Sequence, residues 1–343
     1  MRSFLLVLLV AIASHLQGQE LQLPSLFDSL YSLPNLEITL TYPYDSLYRT
    51  KRDEIAATLS IQSASGVLLE NENITLNIRG KFRRMHCKMP PILLNFKKTT
   101  LRKLNLSPID EMKLVTHCID GAAGQDNLQE ERLCYQLYES LTPYAYRHVW
   151  VTVHYCDAAQ PGQCYTSAGI LLEPDKVMEK RLGIEERKLY NVAQDSLEYE
   201  SYARVAAFNF LIGNRDWSIV SSRNAKLFYQ ESLQKYVVIP YDFDYSNLVG
   251  ATYRKETLPA SMDHPFDRLY DGEYFKEKSG DIIQSFISNE SQLIGIVDRV
   301  ATSMNPERRA QIRKYLESWF SFIKKQNPEK WIYGLVCPYK GGL

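Results

Sequence analysis

Residues 211–249, LIGNRDWSIVSSRNAKLFYQESLQKYVVIPYDFDYSNLV, place oxygen-bearing side chains on both sides of an apolar strand. Asp216 stands in a loop just after Gly213, Asn224 follows eight residues later, and the run YVVIP leads to Asp242 and Asp244. Magnesium prefers octahedral oxygen ligation and usually takes only one or two carboxylates from a protein, leaving the rest to phosphate and water. An Asn224 amide and a carboxylate from Asp242 or Asp244 on adjacent hairpin strands answer that need. A strand alternates faces, so positions 242 and 244 point the same way, and their crowding calls for a cation or a proton. Asp216 then remains to orient or deprotonate an attacking hydroxyl. Plainer roles compete: Asp216 bonding loop N–H groups, and Asp242 and Asp244 as a solvated strand end.

The elements that must hold these residues follow from periodicity. LEITLTY, IAATLSIQS and ITLNIRG alternate apolar and polar residues with turns between them, which predicts antiparallel strands over residues 35–80. PPILLNF and EMKLVTHC extend the sheet, and YRHVWVTVHYC and SAGILLEP are two further strands. Between them LQEERLCYQLYESL switches to helical spacing. From about residue 175 the pattern is helical, with EYESYARVAAFNFLIG ending at Gly213 and with the hairpin 224–246 set inside it. The sequence thus predicts an α+β chain with a β-rich part at 19–174 and a helical part at 175–343 carrying the candidate hairpin 211–249.

Within this pattern the segment from GN-R-D through N..L to YDFD resembles the spore-coat CotH family of secreted atypical kinases. NIRGKFRR, KMPPILLNF, KLVTHCIDG and NLQEERLCYQLY resemble the upstream part of that family in order and spacing, so the likeness covers roughly residues 75–250. The resemblance implies a protein-kinase-like two-lobed fold with a β-rich N-lobe and a helical C-lobe. It also implies transfer of the γ-phosphoryl group of ATP, with Mg²⁺ or Mn²⁺, to a protein or glycan hydroxyl. Asp216 would be the catalytic aspartate and Asn224 and Asp242 metal ligands, with Asp244 as alternative or second ligand. Lys113 would touch the phosphates and pair with Glu131, which lies 18 residues on, with Lys88 in reserve and Glu173 near the base. Five residues after Asp216 stands Ser221, so Asn224 needs a longer loop than in familiar protein kinases, and RGKFRR offers cations in place of a glycine-rich phosphate loop. A second function fits the same residues: a non-catalytic secreted domain that holds a divalent cation and binds a surface glycan or protein. VVIPYDFDYS also looks like the nucleophile motif of haloacid-dehalogenase-type phosphatases, but only about a hundred mostly helical residues follow it.

Forty basic and forty acidic residues cancel, so no broad field attracts nucleic acid or an anionic membrane. MRSFLLVLLVAIASHLQGQ has the form of a secretory signal peptide, here assigned to residues 1–18. Its apolar run is shorter than the roughly 20 residues of a membrane span, and export to a periplasm, cell surface or medium is expected. All six cysteines follow it, which favours disulfides. Cys156 and Cys164 flank the turn-rich DAAQPGQ and are expected to pair, as are Cys87 and Cys118.

Overall fold

The computed structural model describes residues 23–49, 54–254, 259–275, 280–300, 304–326, 334–339 and 341; the stretch assigned to the signal peptide lies outside the described residues. The chain forms two compact units, one built from residues up to Cys118 with Val149–Val177, the other from Ile119–His148 with Met178–Leu343.

The first unit contains β1 (Leu36–Tyr42), β2 (Ile55–Ser63), β3 (Gly66–Ile78), β4 (Ile92–Asn95), β5 (Glu111–Thr116), β6 (His148–Asp157) and β7 (Cys164–Leu172). Burial alternates along the whole of β1 and β6, as period-two patterning requires of strands with one covered face. The covered side chains, among them Ile38, Leu40, Leu59, Leu76, Leu94, Leu114 and Val153, make one core. Strand order is β1-β2-β3-β4-β5-β7-β6, and the sheet closes on itself. Closure comes from a parallel pairing of β1 with β6, running from Leu36 opposite Val151 to Tyr42 opposite Asp157.

This closed, mixed seven-stranded barrel overturns the expected two-lobed kinase-like fold, while the α+β class stands. The reason is physical: alternation reports which face of a strand is buried but not which strand lies beside it. Pairing β1 with β6 removes both sheet edges, a solution that a string of hairpins does not announce.

Four short helices decorate this unit: α1 (Leu26–Tyr31), α2 (Tyr44–Arg49), α3 (Lys81–His86) and α4 (Lys98–Lys103). Ser25 and Asp28 form a reciprocal capping box on α1. The charged run RGKFRR is helical from Lys81 onward, not a strand, and Arg84 donates to the Ile78 carbonyl at 2.7 Å. Both expected disulfides are present: Cys87 with Cys118, and Cys156 with Cys164 across the tip joining β6 to β7. Cys134 and Cys337 are buried thiols. Two disulfides are compatible with an exported protein. Among the described residues no helix is long and apolar enough to cross a membrane.

The second unit holds α5 (Gly121–Glu139), β8 (Glu185–Arg187), α7 (Tyr199–Ile212), β9 (Ala225–Gln230), β10 (Lys235–Pro240), β11 (Arg268–Leu269), α8 (Gly280–Ser288), α9 (Glu290–Val300), α10 (Pro306–Ile323) and β12 (Val336–Cys337), while α6 (Asp175–Leu182) spans the boundary. Helix α7 is buried on nearly every side, which its run of Ala, Val, Phe, Leu and Ile residues allows. It stops at Gly213, whose left-handed backbone (φ 66°, ψ 38°) only glycine adopts at no steric cost. Asn214 N–H then bonds back to the Asn209 carbonyl at 2.8 Å, ending the helix in a Schellman-type turn. Strands β8, β9 and β10 form one antiparallel sheet, with Ala225 opposite Pro240 at the end where the candidate residues lie.

On α5, Glu130 is 1% exposed and pairs with Arg308 of α10 at 2.5 Å, but its Oε2 has no hydrogen-bond partner among the described residues. Burial outweighs the arginine and lifts this carboxyl to about 7. The native state therefore holds a proton that the unfolded chain releases above its ordinary carboxylate range. The stabilisation is complete below about pH 4.5 and is lost as pH rises through about 7, an effect of about 3 kcal/mol. In Glu130→Gln, which cannot titrate, the fall in urea-unfolding free energy between about pH 5 and 8 should shrink by that amount. Equal slopes in the two proteins would show that Glu130 titrates normally.

Candidate functional site

Asp216 is held from three directions. Its backbone N–H donates to Asn214 Oδ1 at 3.0 Å, and the Asn214 amide in turn donates to Asn209 Oδ1 at 2.9 Å, both asparagines being buried. An isolated bridge between Ser218 and Arg223 folds the following loop back on itself. That return brings Asn224 Nδ2 to the Asp216 carbonyl at 2.7 Å and to its Oδ2 at 2.9 Å. Arg223 Nε reaches the other carboxylate oxygen at 3.3 Å. Asn224 itself is left-handed (φ 50°), a conformation asparagine tolerates better than most residues, and its carbonyl accepts from Tyr241 N–H at 3.0 Å. The loop thus closes through Asn224 onto Asp216 eight residues before it.

Past Pro240 the chain leaves the sheet. Asp242 has φ 62° and its N–H donates to the Tyr135 hydroxyl of α5 at 3.0 Å. Phe243, 1% exposed, packs edge-on against Tyr135 at 5.0 Å and against Phe208 of α7 at 5.5 Å. Asp244 is also buried, at 2% exposure, and accepts from the Tyr253 hydroxyl at 3.0 Å. The expectation that 242 and 244 share a strand face is thus corrected. Strand β10 ends at Pro240, so two-residue alternation does not extend to them.

The carboxyl of Asp216 lies above the usual range because it is largely desolvated; Asp242 adds to the rise, while Arg223 and Asn224 oppose it. Asp216, Asn224 and Asp242 are brought together, while Asp244 is bonded by the Tyr253 hydroxyl. Among the described residues no three His, Cys, Asp or Glu side chains group as a metal cage. Asn224 gives its amide nitrogen to Asp216, and Asp242 brings a second carboxylate near the first.

Of the other expected residues, Lys113 lies on β5 and donates to both oxygens of Asp175 at 3.3 and 3.1 Å. Lys88 is exposed beside the Cys87–Cys118 bridge, with its N–H on the Cys118 carbonyl. Glu173 is fully buried after β7. Glu131 is buried on α5, in the second unit. Sequence reasoning missed Tyr135, Asn209, Asn214 and Arg223, and also Asp271 and Glu273. Asp271 accepts from Trp217 Nε1 at 3.3 Å, and burial lifts it to about 7 against the pull of Arg215. Glu273 accepts from the Ser218 hydroxyl at 2.9 Å. Only GNRDW itself, with an asparagine two residues before the aspartate, offered a signal for an Asx turn. The chain matches no protein-family model and no curated protein.

Proposed function

We propose that this chain is an exported, magnesium-dependent phosphotransferase that moves the γ-phosphoryl group of a nucleotide to a hydroxyl on a protein or glycan, in the manner of CotH-like atypical kinases. The observation that carries the reading is the Asp216–Asn224 pair. One asparagine amide fixes both the backbone and the side chain of a partly desolvated aspartate that stands beside a second carboxylate. A carboxylate displaced toward neutral pH and held in place is suited to accept a proton from an attacking hydroxyl. In the reaction the acceptor O–H proton passes to Asp216 and the acceptor oxygen bonds the γ-phosphorus. The bond from that phosphorus to the bridging oxygen breaks, releasing the nucleoside diphosphate. Asn224 and Asp242 would hold Mg²⁺, which supplies charge neutralisation of the phosphates.

Arg223 on Asp216 favours a second reading, a binding domain in which Asp216 is a neutralised loop anchor and the acidic pocket holds a cation for a glycan or protein partner. Thermal shift separates the two. With ATP and Mg²⁺ the wild type should gain several degrees, and Asp242→Asn should lose that gain while melting normally without ligand. A wild type that ignores ATP but responds to Ca²⁺ alone would sink the phosphotransferase in favour of the binding domain.

A further inference from the structure

We propose that residues 267–275 form a strap that sets the loop carrying Asp216, with Asp271 and Glu273 as its positioning residues. This deepens the phosphotransferase reading and, for its effect on turnover, rests on it. The strap is fastened at both ends. At one end Arg268, wholly buried, donates to the Leu211 carbonyl of α7 at 2.9 Å and to Ser318 Oγ of α10 at 3.1 Å, while Tyr270 exchanges backbone bonds with Gly334 and Leu335 at 2.8 Å. At the other end Tyr274 N–H bonds the Tyr202 hydroxyl at 2.9 Å, its own hydroxyl bonds the Val192 carbonyl at 2.8 Å, and Phe275 N–H meets Gln194 at 2.9 Å. Between them Gly272 lies so close to α7 that a Cβ there would meet the Ala206 methyl at 3.2 Å.

Strung between those fastenings, the two carboxylates face the loop. Asp271 takes the Trp217 indole N–H, and Glu273 takes the Ser218 hydroxyl and, at 3.4 Å, the Val220 N–H. Trp217 is 5% exposed, so its indole N–H has no water to fall back on. Asp216 is therefore pinned two residues upstream by Asn214 and one residue downstream by Trp217. A base that must meet a hydroxyl loses on the order of 10²-fold in rate for a misplacement of about 1 Å. Holding the loop from both sides is what keeps Asp216 within that tolerance. The charged groups around Asp271 are Arg215 from the loop and Glu273 from the strap. An asparagine at 271 would keep the oxygen that receives the indole.

The test reads the loop and the chemistry separately. Hydrogen exchange of the 214–221 amides should speed up by about tenfold or more in Asp271→Ala, stay near wild type in Asp271→Asn, and speed up likewise in Trp217→Phe, which spares the strap itself. Turnover with saturating nucleotide should fall on the order of 10²-fold in Asp271→Ala with KM for the nucleotide unchanged, and recover in Asp271→Asn. Unchanged exchange in both Asp271→Ala and Trp217→Phe overturns the strap, as does faster exchange with unaltered turnover. If the wild type transfers no phosphate, the phosphotransferase reading falls, and the exchange result alone decides whether the strap holds the loop.

Discussion

Replacing Arg268 with alanine should lower the thermal midpoint by about 10 °C. The guanidinium is fully buried and its donors go to the Leu211 carbonyl, the Tyr315 carbonyl and Ser318 Oγ, while its carbon sits 3.5 Å from the centre of the Tyr315 ring. The Leu211 carbonyl is at the C-terminal end of α7, where the helix dipole welcomes a cation. Alanine would leave the Leu211 carbonyl without this donor, at about 1–3 kcal/mol, weaken the bonding of the Tyr315 carbonyl, which keeps the Ser318 hydroxyl at 2.6 Å, by about 1 kcal/mol, and remove the ring contact worth about 1 kcal/mol. Summed and discounted for relaxation, about 4 kcal/mol is lost. Lysine should not rescue, because a point charge on a flexible stem cannot serve acceptors on two helices and a ring face together. Calorimetry of the alanine, lysine and wild-type proteins decides it. An alanine protein melting within about 2 °C of wild type would show that Arg268 fastens nothing.

Arg268 also marks where sequence reading stopped. The strands and helices were visible because their periodicities of two and 3.6 are local properties of the chain. So was the Cys156–Cys164 bridge, since a short turn-rich loop brings its own ends together. Barrel closure was not, because Leu36 meets Val151 across more than a hundred residues and neither residue's pattern names the other. Lys113 shows the same limit: its place on a strand was readable, its bond to Asp175 on a distant segment was not. The strap escaped notice for a related reason. Residues 267–275 contain only a two-residue strand, and their order comes from side chains meeting backbone groups far away in sequence. At the candidate site, Asp216 and Asn224 were legible as separate candidates but not as hydrogen-bond partners, and the shared face of Asp242 and Asp244 was misjudged by carrying strand alternation beyond Pro240 into a turn.

The sharpest functional test is Asp216→Asn, for which phosphoryl transfer should fall by about 10²–10⁴-fold while the thermal shift with Mg²⁺ and ATP is retained. Asparagine is nearly isosteric and keeps an oxygen for the Asn224 amide, so the loop should keep its shape. What it loses is the capacity to take a proton, together with a half-exposed ion pair to Arg223 worth less than about 1 kcal/mol. The pH dependence supplies a second reading of the same residue. In the proposed role Asp216 would accept a proton only when ionised, and burial chiefly, with Asp242 in addition, holds its carboxyl above the usual range. Transfer should therefore rise with pH through that elevated value. Arg223 pulls the other way, so Arg223→Gln should move the acidic limb of the rate profile to higher pH, leaving the maximal rate nearly intact. An Asp216→Asn protein that transfers phosphate at the wild-type rate would remove Asp216 from the chemistry. An acidic limb that Arg223→Gln fails to move would assign that limb to another group.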